Sequence, residues 1–254
     1  MSDQDTLTRA LLGAWRDHAP VEAGPLAGLL PDAEAAYAVQ DRVAAESGWF
    51  DRAVPQHWKS GGPTRESVLT HAPLPPRRVW PSPADASREH FNLRLIEAEV
   101  ALRLARDVTP AQAAALSHED AASLVNAMCV SIEIVDSRWR EARTAPALLK
   151  LADLQSHGAL VLGAFRPFEP RDWSRQQCVV RIGNAEPKSF QGTQSLGDPA
   201  WLLPVWLRHV TRKGATVPKG TVVTTGTWCG LLEARKGDLV RVEFEGIGAA
   251  EVQL

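Results

Sequence analysis

Cysteine is scarce in this chain: three residues in 254, at positions 129, 178 and 229. An odd, widely spaced set gives neither a disulfide framework nor the paired spacing of a zinc site, so a reducing cytoplasm is the expected home. No apolar run approaches the roughly 18 residues needed to span a bilayer. The polar, acidic start MSDQDTLTRA has no signal-like apolar stretch. The net charge of −2 leaves no excess of basic residues to attract nucleic acid or an anionic membrane, so neither is expected as a partner. No G-x-G-x-x-G opens a helix, no Gly-Lys-Ser/Thr completes a phosphate loop, and no G-x-S-x-G elbow occurs. A nicotinamide or flavin cofactor, a Walker site and a nucleophile elbow are therefore unsupported. Internal repeats and low-complexity segments are also missing.

What is present is ordinary for a globular protein: 44% apolar and 23% charged residues, enough for one large or two smaller domains. The stretch from Leu93 to Asp136 organises the rest. Leu93, Leu95, Glu97, Glu99 and Ala101 alternate with Arg94, Ile96, Ala98, Val100 and Leu102. On a strand this sets Glu97 and Glu99 side by side on one face. Glu133 follows within a second apolar run, Ile132 to Val135. Two readings are open. The acids lie on a solvated edge, or they converge from two strands as a hard, oxygen-rich site for Mg²⁺, Mn²⁺ or Ca²⁺. Buried like charges need a proton or a cation between them.

Other polar groups carry two readings each. Lys59, between Trp58 and the Ser60-Gly61-Gly62 turn, reaches a substrate carboxylate or is a solvated lysine at a strand end. Lys150 is similar. Asp153-Leu154-Gln155-Ser156-His157 gathers an acid, an amide, a hydroxyl and an imidazole before an apolar strand, as a site or as a turn. The loop Thr224 to Gly230 offers amides and hydroxyls, Thr227 among them, to a carboxylate. Trp58 and Trp228, beside polar loops, are placed near a ligand.

Helices are expected over 4–18, from an Asp32 cap to Ser47, from a Ser117–Asp120 cap to Met128, and over 199–213. Residues 71–88 hold five prolines and read as extended. Strands are expected at 158–165, 178–182, 221–225, 239–244 and 250–254. Strands without strict βαβ alternation predict an α+β fold on a mixed, rolled sheet.

Taken in order, Ile96-Glu97-Ala98-Glu99-Val100-Ala101, then Glu133-Ile134-Val135-Asp136-Ser137-Arg138, then Leu151-Ala152-Asp153 before Gly158 and Val161-Leu162-Gly163, resemble the 2-keto-4-pentenoate hydratase group of the fumarylacetoacetate hydrolase superfamily. Ala36-Tyr37-Ala38-Val39-Gln40 is similar to its N-terminal helix. Thr225-Gly226-Thr227, Lys236-Gly237-Asp238 and Glu245-Gly246-Ile247-Gly248 are similar to the superfamily's C-terminal end.

The resemblance implies a mixed β-roll with flanking helices, split into a helical segment at 1–53 and a catalytic domain at 54–254. It implies Mg²⁺ or Mn²⁺ on Glu97, Glu99 and Glu133, with Lys59 and Asp153 handling protons and orientation. Trp58, Lys150, Ser156 and Thr227 are the expected substrate contacts, and a homo-oligomer the expected assembly. The implied chemistry is hydration of a short 2-hydroxy-2,4-dienoate or 2-oxo-alkenoate in aromatic-compound catabolism. Decarboxylation of a 4-oxalocrotonate-like acid, C–C hydrolysis of an acylpyruvate, and metal binding without turnover are the alternatives. Three departures stand out. Lys59 is followed by Ser60-Gly61-Gly62 where the hydratases have Ile-Gly and a Thr-Ser pair. Leu74-Pro75-Pro76-Arg77-Arg78 lacks the usual aspartate. Asp153-Leu154 replaces an Asp-Asn pair.

Overall fold

The structure, a computed structural model, describes residues 2–254. Helix α1 (Asp3–Asp17) begins at a capping box: Ser2 Oγ accepts from the Asp5 amide at 3.1 Å, and the Ser2 amide donates to Asp5 at 2.8 Å. Asp32 caps α2 (Ala33–Glu46) through the Ala35 amide at 2.9 Å. Both helices bury one apolar face, Leu7, Leu11 and Trp15 on α1 and Tyr37, Val39 and Val43 on α2. That face shares a core with Trp139, Leu149, Leu151 and Leu154, so the helical layer packs on the segment that follows the acidic strands. Each such side chain contributes about 1.5–3 kcal/mol when fully buried.

Strands β1 (His57–Gly61), β2 (Thr70–Pro73), β3 (Val79–Pro81) and β4 (Ala84–Asp85) precede the two long ones, β5 (Leu95–Leu104) and β6 (Val125–Val135). Helix α3 (Pro110–Ala115) joins that pair. Helix α4 (Ala147–Ala152) then leads into β7 (His157–Leu162), β8 (Arg166–Pro167), β9 (Gln177–Ile182) and β10 (Lys188–Gln191). Helix α5 (Leu203–Thr211) precedes β11 (Val222–Thr224), β12 (Leu232–Glu233), β13 (Leu239–Phe244) and β14 (Gly248–Gln253). The larger sheet runs β2-β1-β11-β5-β6-β7-β3, with β12 on β5 and β8 on β6; the smaller runs β10-β9-β13-β14-β4. The pairs β1/β11, β3/β7 and β14/β4 are parallel and the rest antiparallel. This is the curled, mixed α+β arrangement that the strand-rich sequence predicts. Val130, Ile132, Val240, Phe244 and Val252 belong to one apolar core common to the sheets. Among the described residues, no helix is long and apolar enough to cross a membrane.

One helix expectation is corrected. Ser117 and Asp120 do form the capping contacts, at 3.1 and 2.9 Å. The chain makes only a 3-10 turn over Ala121–Leu124 and then enters β6 at Val125. The run from Val125 to Val135 is rich in β-branched and apolar residues, and it pairs along the whole length of β5. Cross-strand packing overrides a local cap of about 1 kcal/mol.

Candidate metal and substrate site

The β5/β6 register puts Glu97 opposite Glu133 and Glu99 opposite Ser131. One oxygen from each of Glu97, Glu99 and Glu133 lies within 4.8 Å of the others. Glu99 and Glu133 are buried, and Glu97 keeps partial solvent contact. Glu99 Oε2 accepts from the Gly226 amide at 2.9 Å and from the Thr224 hydroxyl, which also meets Ser131 Oγ at 2.9 Å.

Two basic side chains face the triad. Lys59 arrives on β1, which lies parallel to β11 with Lys59 opposite Thr224. Its Nζ donates to Glu133 Oε1 at 2.5 Å and to the Gln155 carbonyl at 3.3 Å. His157 Nδ1 stands 3.2 Å from the same Glu133 oxygen. The Gln155 carbonyl is aimed by an unusual turn: Leu154, Gln155 and Ser156 all have positive φ, of 49°, 54° and 59°. Left-handed conformations in non-glycine residues are unfavourable, so packing around the turn must hold them there. Gly158 follows, where a Cβ would stand 2.6 Å from the Ile134 carbonyl; only glycine lets β7 lie this close to β6.

The electrostatics are those of a site short of positive charge. Burial, then the Glu99 and Glu133 charges, push Glu97 up to about 8. Burial and Glu133 push Glu99 up to about 7, against Lys59, Thr224 and Gly226. Burial disfavours the Glu133 anion, but Lys59 and His157 outweigh it and hold its carboxyl below the usual range. Burial also opposes the Lys59 ammonium, and Glu133, Glu97 and Glu99 together overcome it, raising its pKa. Burial keeps His157 below the ordinary histidine value. The protein's own groups thus set three carboxylates around one firm cation. Glu133 Oε2 is buried with no hydrogen-bond partner among the described residues. An orphaned carboxylate oxygen within a three-acid cluster fits a divalent cation, which takes hard oxygen ligands and offsets this charge.

Glu97, Glu99 and Lys59 line a cavity of about 1010 Å³, together with Lys150, Ser156 and Thr227. Ser156 is buried, and its hydroxyl has no protein partner among the described residues. Thr227 Oγ1 donates to the Gly230 carbonyl at 3.0 Å and accepts from the Cys229 amide at 3.2 Å. The Gly226 amide of that loop is taken by Glu99, which leaves one donor fewer for a substrate carboxylate. Lys150 Nζ donates to the Arg143 carbonyl at 3.1 Å.

Asp153 and Trp58 stand elsewhere. Asp153 is buried and absent from the cavity lining; it accepts from Arg138 Nε at 2.5 Å and from the Arg138 amide at 3.0 Å. Trp58 is next to Lys59 on β1 and therefore points to the opposite face. It packs against Trp206, with ring centres 6.4 Å apart, and its Nε1 donates to the Pro55 carbonyl at 2.8 Å. Trp228 likewise packs against Phe244 at 5.4 Å, away from the cavity. Sequence reasoning gave no role to Arg138, because its partner Asp153 lies 15 residues away in the chain, and it named Gln155 and Thr224 only as members of polar stretches, without the Lys59 and Glu99 contacts they make.

Residues 75–254 match the fumarylacetoacetate (FAA) hydrolase C-terminal family, and the chain belongs to that family. Within it, the chain is 31% identical to 2-keto-4-pentenoate hydratase 1 of Dechloromonas aromatica (strain RCB) over 156 residues, 60% of this chain and 57% of that one. It is 28% identical to the 2-keto-4-pentenoate hydratase of Paraburkholderia xenovorans (strain LB400) over 163 residues, 62% and 58% of the two chains. The chain thus spans less than two thirds of the length of these curated relatives. Its fold is that of 4-oxalocrotonate decarboxylase from Pseudomonas putida G7 complexed with magnesium and adipate, with TM-score 0.82 and 18% identity over 98% of this chain and 95% of that one. A 2-hydroxyhepta-2,4-diene-1,7-dioate isomerase from Mycobacterium marinum shares it over 79% of this chain and 74% of its own, with TM-score 0.57 and 16% identity.

Proposed function

We propose that this chain is a divalent-metal-dependent lyase of the hydratase type, adding water to a short 2-hydroxy-2,4-dienoate or 2-oxo-alkenoate in aromatic-compound catabolism. The observation that carries the reading is the cluster of Glu97, Glu99 and buried Glu133 beside Lys59, with Glu97, Glu99 and Lys59 lining one cavity. The hydratase relatives support it, as do the magnesium and calcium held by structural neighbours. Glu97, Glu99 and Glu133 would hold Mg²⁺ or Mn²⁺, which supplies a Lewis acid for negative charge developing on a 2-oxo acid.

The remaining roles fall to the chain's own groups. Lys59 keeps its proton at neutral pH, so it serves as a fixed cation that orients an oxyanion or donates a proton. Ser156 and Thr227 offer hydroxyls, and Lys150 an ammonium, to the bound acid. Leu93, Leu95, Val135 and Leu151 line the cavity and exclude water from an apolar chain. Asp153, through Arg138, is a positioning residue in this scheme: it fixes the turn that presents Gln155 and Ser156. A homo-oligomer is part of the same proposal.

Decarboxylation of a 4-oxalocrotonate-like acid, or C–C hydrolysis of an acylpyruvate, is the second reading. Ser60 in the usual isoleucine position and the acid-free loop from Leu74 to Arg78 favour it, because they alter the proton-handling surroundings. Purified protein is assayed with each of the three substrate types in Mg²⁺, in Mn²⁺ and after chelation. Metal-dependent hydration is the expected result. Turnover of only one of the other acids moves the assignment to that reaction, and metal binding with no turnover leaves a binding protein.

A further inference from the structure

Resting on the reading of the three acids as a metal site, we infer that His157 is a positioning residue: with Lys59 it holds Glu133 to ligation through one oxygen, and so selects a small octahedral cation, Mg²⁺ or Mn²⁺, over Ca²⁺. Neither substrate contact nor proton handling uses this imidazole. Its side chain is nevertheless 0% exposed, as is that of Glu133, and its Nδ1 stands 3.2 Å from Glu133 Oε1.

The strand is irregular where it delivers the ring. From Ser131 to Ile134, β6 pairs residue by residue with Leu162 to Ala159 of β7. The register then slips, and Val135 pairs with His157 instead of Gly158. Two residues of β7 thus oppose one of β6, the mark of a β-bulge. Side chains two apart on a strand share a face, so Val135 lies on the Glu133 side of β6. Regular pairing would set Gly158 on that side and turn His157 to the other. The bulge re-aims His157 toward Glu133. Gly158 permits it, since a Cβ there would stand 2.6 Å from the Ile134 carbonyl.

The two oxygens of Glu133 have different tasks. Nδ1 of His157 faces a carboxylate oxygen, which can only accept, so it carries a hydrogen and donates. Lys59 Nζ donates to the same Oε1 at 2.5 Å. A carboxylate oxygen offers roughly two lone-pair sites, and both on Oε1 are then taken. Oε2, buried and without a partner among the described residues, is the atom left for a cation. His157 Nε2 is likewise unpartnered, so Glu133 is the one group that the ring hydrogen-bonds among the described residues. Two donors on Oε1 also oppose the rotation that would bring both oxygens onto one ion. Ca²⁺ accepts carboxylates through one oxygen or two, in a loose shell of about 6–8 ligands. Mg²⁺ demands a near-ideal octahedron, and the two oxygens of one carboxylate sit too close together for neighbouring corners. One-oxygen ligation by Glu133 therefore favours the smaller ion.

Mg²⁺, Mn²⁺ and Ca²⁺ are each titrated calorimetrically into the full chain, native, His157→Asn and His157→Leu. Asparagine keeps an N–H donor near the place of Nδ1, and leucine fills the space without one. Circular dichroism and thermal scans in EDTA identify any variant that has not folded. Native protein is expected to bind Mg²⁺ and Mn²⁺ more tightly than Ca²⁺. In His157→Leu both affinities should fall about 10-fold or more, the scale of groups that orient ligands, with Ca²⁺ changing less. His157→Asn should return the preference toward the native one. Ca²⁺ bound more tightly than Mg²⁺ by native protein overturns the inference and leaves the metal site standing. So does a folded His157→Leu with an unchanged preference, or with all three cations weakened alike; either makes His157 a core residue only. An asparagine variant that behaves like the leucine one overturns the assignment to the Nδ1 donor. If the leucine variant does not fold, the native order and His157→Asn decide by the same criteria. Native protein that binds none of the three cations overturns the metal-site reading and the inference with it.

Discussion

Lys59→Met keeps the aliphatic stem and removes the ammonium. In the native protein the lysine and Glu133 side chains are 12% and 0% exposed, and their charged atoms lie 2.5 Å apart. After substitution, Glu133 retains only His157 at 3.2 Å, and burial disfavours the charged form of that histidine. Removing one member of a buried ion pair costs about 3–5 kcal/mol, because the other is left desolvated and unpaired. At about 2–4 °C per kcal/mol for a chain of this size, the Tm in EDTA should fall by roughly 6–20 °C. A divalent cation on the three acids restores the missing positive charge. Binding to the folded state alone adds about 2.7 kcal/mol at 100-fold excess over Kd, and the variant should gain more from Mg²⁺ than the native protein does. Turnover should still fall by about 10²-fold or more, the scale of acid–base and electrostatic groups. Thermal scans with EDTA and with Mg²⁺, beside steady-state kinetics, read all three effects. An unchanged Tm in EDTA refutes the buried-pair reasoning. Full activity per folded molecule refutes the catalytic role and moves it to Lys150.

Glu99→Gln should weaken Mg²⁺ or Mn²⁺ binding by about 100-fold or more, since even groups behind the ligands are worth 10–100-fold; an unchanged titration isotherm removes Glu99 from the ligand set. Asp153→Asn leaves buried Arg138 with Asp136, at 3.7 Å, as its one carboxylate among the described residues, and should cost about 3–5 kcal/mol of stability in urea. Activity retained per folded molecule then marks Asp153 as positioning, whereas a large fall in kcat at unchanged stability puts it in the chemistry. Acid should destabilise the protein through His71 and His209, whose ring centres lie 4.7 Å apart at a tilt of 40°. Burial holds His71 down at about 3 and His209 lower still, against an ordinary 6.5. The unfolded chain therefore takes up protons first. Stability is full above pH 6.5 and falls as the pH drops toward the folded values, by up to about 1.4 kcal/mol per pH unit for each histidine. A Tm that does not change between pH 7 and pH 5, or a slope unaltered in His71→Gln, contradicts this account.

Local rules carried the elements and the acid pair. Alternation from Leu93 to Leu102 is enough to put Glu97 and Glu99 on one face, because side-chain direction on a strand has a period of two. The Ser2 and Asp32 caps set the starts of the two N-terminal helices for equally local reasons. The same alternation already separates Trp58 from Lys59, so the turn of that indole into the core was legible in the chain. Only the tertiary structure decided what crosses long sequence separations. It chose the β5/β6 register that faces Glu97 with Glu133, and it brought Lys59 to Glu133 across 74 residues. It gave Asp153 to Arg138 and made residues 125–128 strand, where the cap at Ser117 and Asp120 pointed to helix. These outcomes depend on burial and on which partner charge is near, and neither is encoded within one turn or one strand of the sequence.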